Sequence, residues 1–115
     1  DYRDIGQPVL IPGDMGRYSY ILLGKPKAME LTFGSSCHGA GRVMSRAQAK
    51  RLAAHRNIER ELREVGIVVR GESRATIDEE MPEAYKDVSE VVEVVHQTGI
   101  STKLVRLKPI CVIKG

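Results

Sequence analysis

The chain has 115 residues, with 18 Lys and Arg against 15 Asp and Glu, a formal charge of +3 and a pI near 9.0. Its 42% hydrophobic and 29% charged residues suit a folded chain of one domain or part of one, not a disordered segment. No apolar run approaches the roughly 20 residues of a membrane helix, nothing reads as a signal peptide, and two cysteines without a CxxC pair are too few for a disulfide scaffold, so a reducing, cytoplasmic setting is expected.

Asp1 stands where a complete protein would carry methionine, which suits a fragment or a processed product. Pro8-Val9-Leu10-Ile11 is a short apolar run stopped by Pro12-Gly13-Asp14, which predicts a strand entering a turn. Tyr18 to Leu23 predicts a second strand, ended by Gly24-Lys25-Pro26, and Lys27 to Phe33 a short helical turn. Gly34 to Arg42 cannot fill a core. Ser45 as N-cap with Gln48 three residues on predicts a helix running to about Glu64 and ending at Gly66, with Leu52, Ile58 and Leu62 buried. Ile67 to Arg70 predicts a strand, Ala75 to Ile77 another, and Asp78 to Tyr85 an irregular helical segment. Val88, Val91, Val92 and Val95 recur at helical spacing and Gly99 ends that helix, while Thr102 to Ile113 predicts one or two closing strands. Mixed elements without a βαβ repeat predict an α+β fold, a mixed sheet with packed helices. With only five aromatic residues, four Tyr and one Phe, the core must be aliphatic.

Chemistry concentrates in Gly34-Ser35-Ser36-Cys37-His38-Gly39-Ala40-Gly41-Arg42. A histidine among small residues presents its ring unobstructed, and glycines let backbone N–H groups turn toward a phosphate. Arg42, Arg46 and Lys50 follow at intervals of four and share a face if the helix starts early. The residues alone leave two readings open: a phosphate site with His38 as nucleophile or acid–base, or a glycine turn whose histidine makes a structural hydrogen bond. A Cys37–His38 dyad is disfavoured because neighbours in an extended segment face opposite ways. Cys37 suits a small buried spacer, and Cys111 is expected to lie buried within the closing strand. His55 and His96 fall in predicted helices as solvated or capping residues.

The string from Gly34 to Arg46 resembles the signature of the RtcB-type RNA-splicing ligases, as do Gln7 to Gly16, Pro82-Glu83-Ala84-Tyr85-Lys86 and Lys108 to Gly115. The four motifs keep one collinear order across the whole chain. The resemblance implies that residues 1–115 are the C-terminal, guanylate-binding part of a larger single-domain ligase. It implies an enzyme that uses GTP and manganese to join an RNA 3′-phosphate or 2′,3′-cyclic phosphate to a 5′-hydroxyl, through a guanylylated histidine, in tRNA splicing and RNA repair. His38 is then the nucleophile. A free imidazole, with a pKa of about 6.5, keeps an unprotonated nitrogen near neutral pH.

The resemblance also assigns the other positions. Pro12, Gly13, Asp14 and Met15 would line the guanosine pocket, Ser19 would contact nucleotide, and Gly39, Ala40 and Gly41 would lie beside GMP. Tyr85 would pack on guanine, although a core anchor is an equal use for its ring, and Lys114 would meet the base edge, unless the terminus is frayed. Asp14 stands where many relatives have Ser or Thr. It is expected to act through its backbone or to accept from the guanine edge or the sugar. Arg42 and Arg46 are expected to bind RNA phosphates, while Glu59, Glu61 and Glu64 offset the later part of the basic helix. The family's manganese ligands lie in motifs absent here, so no metal ligand is assigned to this chain and it is not expected to ligate RNA alone. RNA ends, the rest of the ligase and an archease-type activator are the implied partners, with no membrane. The alternative is a binding fragment that holds nucleotide or RNA without catalysis.

Overall fold

The structure is a computed structural model that describes residues 2–115. In chain order the elements are β1 Pro8–Ile11, β2 Ser19–Gly24, α1 Lys27–Thr32, α2 Arg46–Ala53, α3 Ile58–Glu64, β3 Val68–Gly71, α4 Arg74–Glu79, a 3-10 turn at Pro82–Ala84, α5 Val88–Thr98, β4 Ser101–Leu107 and β5 Cys111–Lys114. Helices and both kinds of sheet make the α+β fold expected from the sequence.

One half is an antiparallel sheet in the order β1-β2-β4. Pro8 opens the edge strand, where the missing N–H breaks no ladder. Ile11 lies opposite Tyr20, and both face the same way as Leu22 because side chains alternate along a strand. They meet Val88, Val92 and Val95 of α5 in one core cluster. Valine is a modest helix former, but spacing of four and three residues places these three on one stripe, and burial there offsets the propensity cost. Asp87 caps α5 by accepting from the Ser89 amide at 2.8 Å, and Gly99 ends it at φ 80°.

The other half is built on β3 and β5, paired parallel with Val68 beside Cys111 and Gly71 beside Lys114. Ala49, Ala53, Ile58, Leu62, Ile67, Val69, Ile77 and Met81 form its core, with Met15 and Ala84. The helix expected from Ser45 to Glu64 is two helices. Asn57 accepts from the Arg60 amide at 2.9 Å and so caps a new start at Ile58. An Asn side chain competing for backbone donors stops one helix and begins the next. Leu52, expected inside, is 53% exposed. Ala75 to Ile77 is helical, not a strand, because Ser73 caps α4 by accepting from the Thr76 amide at 3.1 Å. The tail forms two strands in different sheets, and Cys111 is exposed rather than buried.

Leu22 is fully buried between β1 and α5. Leu22→Ala is expected to destabilise the intact protein by about 2–5 kcal/mol in urea unfolding, the usual cost of such a cavity.

Candidate functional site

The two cores meet at the loops that carry the sequence motifs. Met15 belongs to one core, Ile11 and Ala40 to the other. The glycine-rich segment between α1 and α2 is therefore held from both sides. The buried Ala40 donates its amide to the Pro12 carbonyl at 3.0 Å. The Lys86 amide donates to Gly41 at 2.9 Å and the Val43 amide to Ala84 at 2.9 Å, around an antiparallel bridge between Arg42 and Tyr85. Gly41 sits at φ +79°, which strongly favours glycine. His38 lies two residues before these anchors with its side chain exposed. Of the three residues expected beside GMP, Ala40 has its amide already paired with Pro12.

The Pro12–Arg17 loop is equally tight. A Cβ on Gly13 would fall 1.9 Å from the Tyr18 carbonyl and 2.8 Å from a Val88 methyl, so no side chain fits. The Gly13 amide donates to the Ser19 hydroxyl at 3.3 Å, which ties the loop to the first residue of β2. Asp14 turns inward. Its Oδ1 accepts from the amides of Gly16 and Arg17, both at 2.9 Å, and its Oδ2 from Arg17 Nε at 2.6 Å, with the side chain 0% exposed. Of the roles expected for Asp14, only backbone contact with a ligand remains. Met15 is a core side chain and likewise presents only its backbone.

Two residues that sequence reasoning passed over organise the rest. Arg17 Nη2 donates to the carbonyls of Pro82 at 3.0 Å, Tyr85 at 2.9 Å and Lys86 at 3.4 Å, fastening the Asp14 loop to the segment that bears Tyr85. Glu80, at the end of α4, accepts from Arg42 Nη1 at 3.1 Å and from the Tyr85 hydroxyl, with Lys114 Nζ 3.6 Å away. The signal for Glu80 was its acidic run, Asp78-Glu79-Glu80, against the basic α2 sequence RAQAKRLA. Nothing local marked Arg17 for this fastening role, since the carbonyls it reaches lie more than 60 positions away.

Arg42 is drawn inward by these contacts. Beyond Glu80 it donates to the Tyr85 oxygen at 3.0 Å, to Met44 at 3.1 Å and to Glu79 at 2.6 Å, and its guanidinium lies 4.8 Å from the Tyr85 ring centroid. Arg42 precedes α2 and so does not share its helical face. Arg46 and Lys50 do, and both stand near Glu79 at 3.7 and 3.1 Å. Arg46 is 64% exposed, so its charge still faces solvent. Further along, Arg56, Arg60 and Arg63 each pair with a glutamate. His55 falls in the break between α2 and α3. His96 lies on α5, where its Nδ1 accepts from the Lys103 amide at 3.2 Å.

Burial, and then the hydrogen bond to Glu80, holds the Tyr85 hydroxyl above its ordinary pKa near 10. The folded state therefore binds this proton more tightly than the unfolded chain. Its stabilising effect is complete below pH about 10 and disappears as pH rises through the elevated value. The difference in stability between the wild-type protein and Tyr85→Phe should shrink across that alkaline window, read by urea unfolding at pH 8 to 11.

Among the described residues no group of three His, Cys, Asp or Glu could hold a metal ion, and no described helix is long and apolar enough to cross a membrane. The site is instead a pinned glycine loop with an exposed histidine, flanked by a tight Pro-Gly loop, an aromatic ring and a lysine. The profile of the family described as tRNA-splicing ligase RtcB matches residues 1–115, and the chain belongs to that family. Proteins named tRNA-splicing ligase RtcB from Archaeoglobus fulgidus and Nanoarchaeum equitans are 58% and 55% identical to it over 115 residues, all of this chain and 24% of each relative. A protein of the same name from Methanocaldococcus jannaschii is 51% identical over 115 residues, 12% of its length. The chain thus spans a quarter or less of these relatives.

Arg17→Lys keeps the charge but loses the planar fork that reaches Asp14 and the carbonyls together. It is expected to cost about 1.5–3 kcal/mol in urea unfolding of the intact protein, the range for a hydrogen bond to a charged group.

Proposed function

We propose that this chain is the guanylate-receiving, C-terminal segment of a GTP- and manganese-dependent RNA ligase, which joins 3′-phosphate or 2′,3′-cyclic phosphate ends to 5′-hydroxyl ends, as tRNA splicing and RNA repair require. The observation that carries this reading is His38, an exposed imidazole on a loop whose backbone is fastened to the Pro12 and Tyr85 segments. Membership of the RtcB family supports it.

An unprotonated His38 nitrogen attacks the α-phosphorus of GTP. The new N–P bond forms as the bond to pyrophosphate breaks, leaving GMP on the imidazole. A phosphoramidate is reactive enough to pass GMP to an RNA 3′-phosphate, and the 5′-hydroxyl then displaces GMP as the RNA ends join. Dividing one hard displacement into easier ones is the logic of covalent catalysis. The fixed loop does the positioning that such transfers need, since an oriented nucleophile has already lost most of its freedom. Gly39 and Gly41 keep side chains away from the phosphate, the backbone of Pro12 to Met15 with Ser19 borders the nucleoside, Tyr85 packs on guanine, and Lys114 meets the electron-rich O6/N7 edge. Arg46 binds an RNA phosphate beside His38, with Arg42 bracing the rim from behind.

The described residues do not fit a manganese site, so the metal belongs to other parts of the ligase polypeptide, and the isolated segment would bind without ligating. An archease-type activator is assigned as a partner of the whole enzyme.

The test uses the full-length protein with manganese and GTP labelled at the α-phosphate. Label should remain on the protein in alkali, leave in acid, and be absent from His38→Ala. Uptake by His38→Ala would overturn the assignment. Arg46→Ala should retain GMP uptake, slow ligation, and lower the slope of log affinity for RNA against log salt by about one, the signature of one lost phosphate contact.

A further inference from the structure

Resting on that reading, we propose that Glu80 is the positioning residue of the base end of the site: its single carboxylate holds the Tyr85 hydroxyl and the Lys114 ammonium together and thereby sets the preference for guanine over adenine.

Four separate segments converge on this group. Arg42 arrives from the loop after His38, at 3.1 Å from Oε1, and Arg46 from α2 at 3.8 Å. The Tyr85 hydroxyl donates to Oε2, and Lys114, on the last strand, stands 3.6 Å from the same atom. Glu80 is itself firmly placed. Its amide bonds the Ile77 carbonyl at 3.2 Å, the next residue, Met81, is 1% exposed, and its own side chain is 14% exposed. A carboxylate this buried is costly unless paired, and its donors supply the pairing.

Lys114 depends on it in a way the others do not. Among the described residues Glu80 is the one carboxylate within ion-pair distance of Lys114. A lysine side chain has four rotatable bonds and a strongly hydrated head, so without that partner it has no fixed direction. An ammonium held in place offers donors to the O6 and N7 acceptors of guanine, whereas adenine presents an amino group there. Tyr85 donates to the same oxygen that Lys114 approaches, so the ring and the ammonium are fixed relative to each other. Arg42 lies over the ring as well as against Glu80, which locks the third side of the cluster.

The experiment takes the full-length enzyme and measures initial rates of nucleotide uptake from labelled GTP and ATP in wild type, Glu80→Gln, Lys114→Ala and the double variant. Uptake by wild type, with none by His38→Ala, settles the underlying reading separately; no uptake by wild type would overturn both. Glu80→Gln is expected to raise KM for GTP about tenfold, lower the maximal rate less than threefold, and reduce discrimination against ATP by about tenfold, the pattern of lost binding rather than lost chemistry. Introduced into Lys114→Ala, it should add less than about twofold, because the two residues act through one contact. Glu80→Asp, which keeps the charge, should recover part of the discrimination. If Glu80→Gln does not fold, Glu80→Asp takes its place in the same cycle. Unchanged GTP preference in a folded Glu80→Gln, or effects of the Glu80 and Lys114 substitutions that simply multiply, would overturn the proposal.

Discussion

Three backbone hydrogen bonds hold this site in shape: Ala40 to Pro12, Lys86 to Gly41, and Val43 to Ala84. Each joins the glycine-rich segment to a part of the chain remote in sequence. A loop of small residues has few side chains with which to pack, so main-chain bonds fix most of its path, with Ala40 and Cys37 against one core and Arg42 anchored at its end. The exposed His38 inherits its position from them.

Those bonds are possible because two small aliphatic cores bring their loops to one place. The β1-β2-β4 sheet with α5 supplies Pro12 and the wall against which Ala40 is buried. The helices around β3 and β5 supply Ala84, Tyr85 and Lys114. Arg17 then spans the junction, with one side of its guanidinium on Asp14 and the other on three carbonyls. A buried acid is costly unless paired, and the Asp14 carboxylate is satisfied by its own turn and by Arg17.

The charge distribution follows the same logic. The basic residues after His38 form less of a bare anion surface than their number suggests, because Glu79 and Glu80 meet Arg42, Arg46 and Lys50. What survives is selective. Arg42 is an internal strut, Arg46 keeps an exposed cation, and Lys114 is aimed by a carboxylate. Glu80 thus gathers cations from three remote parts of the chain, Arg42, Arg46 and Lys114.

The sequence by itself determined the α+β class, both opening strands, the valine helix ended by Gly99, and the motif residues His38, Gly39 and Gly41, because each rests on a local signal: alternation, helical spacing, a cap or a run of glycines. It did not reveal that Asn57 divides one expected helix in two, that Ala75 to Ile77 is helical, or that Leu52 and Cys111 are exposed, since a cap competes with propensity and exposure depends on what packs alongside. Only the tertiary structure decided that Asp14 turns inward, that Arg42 lies against Tyr85, and that Glu80 meets Lys114, which follows it by 34 positions. Such contacts depend on how β3 pairs with β5 and how two cores abut, and no short window of sequence carries that information.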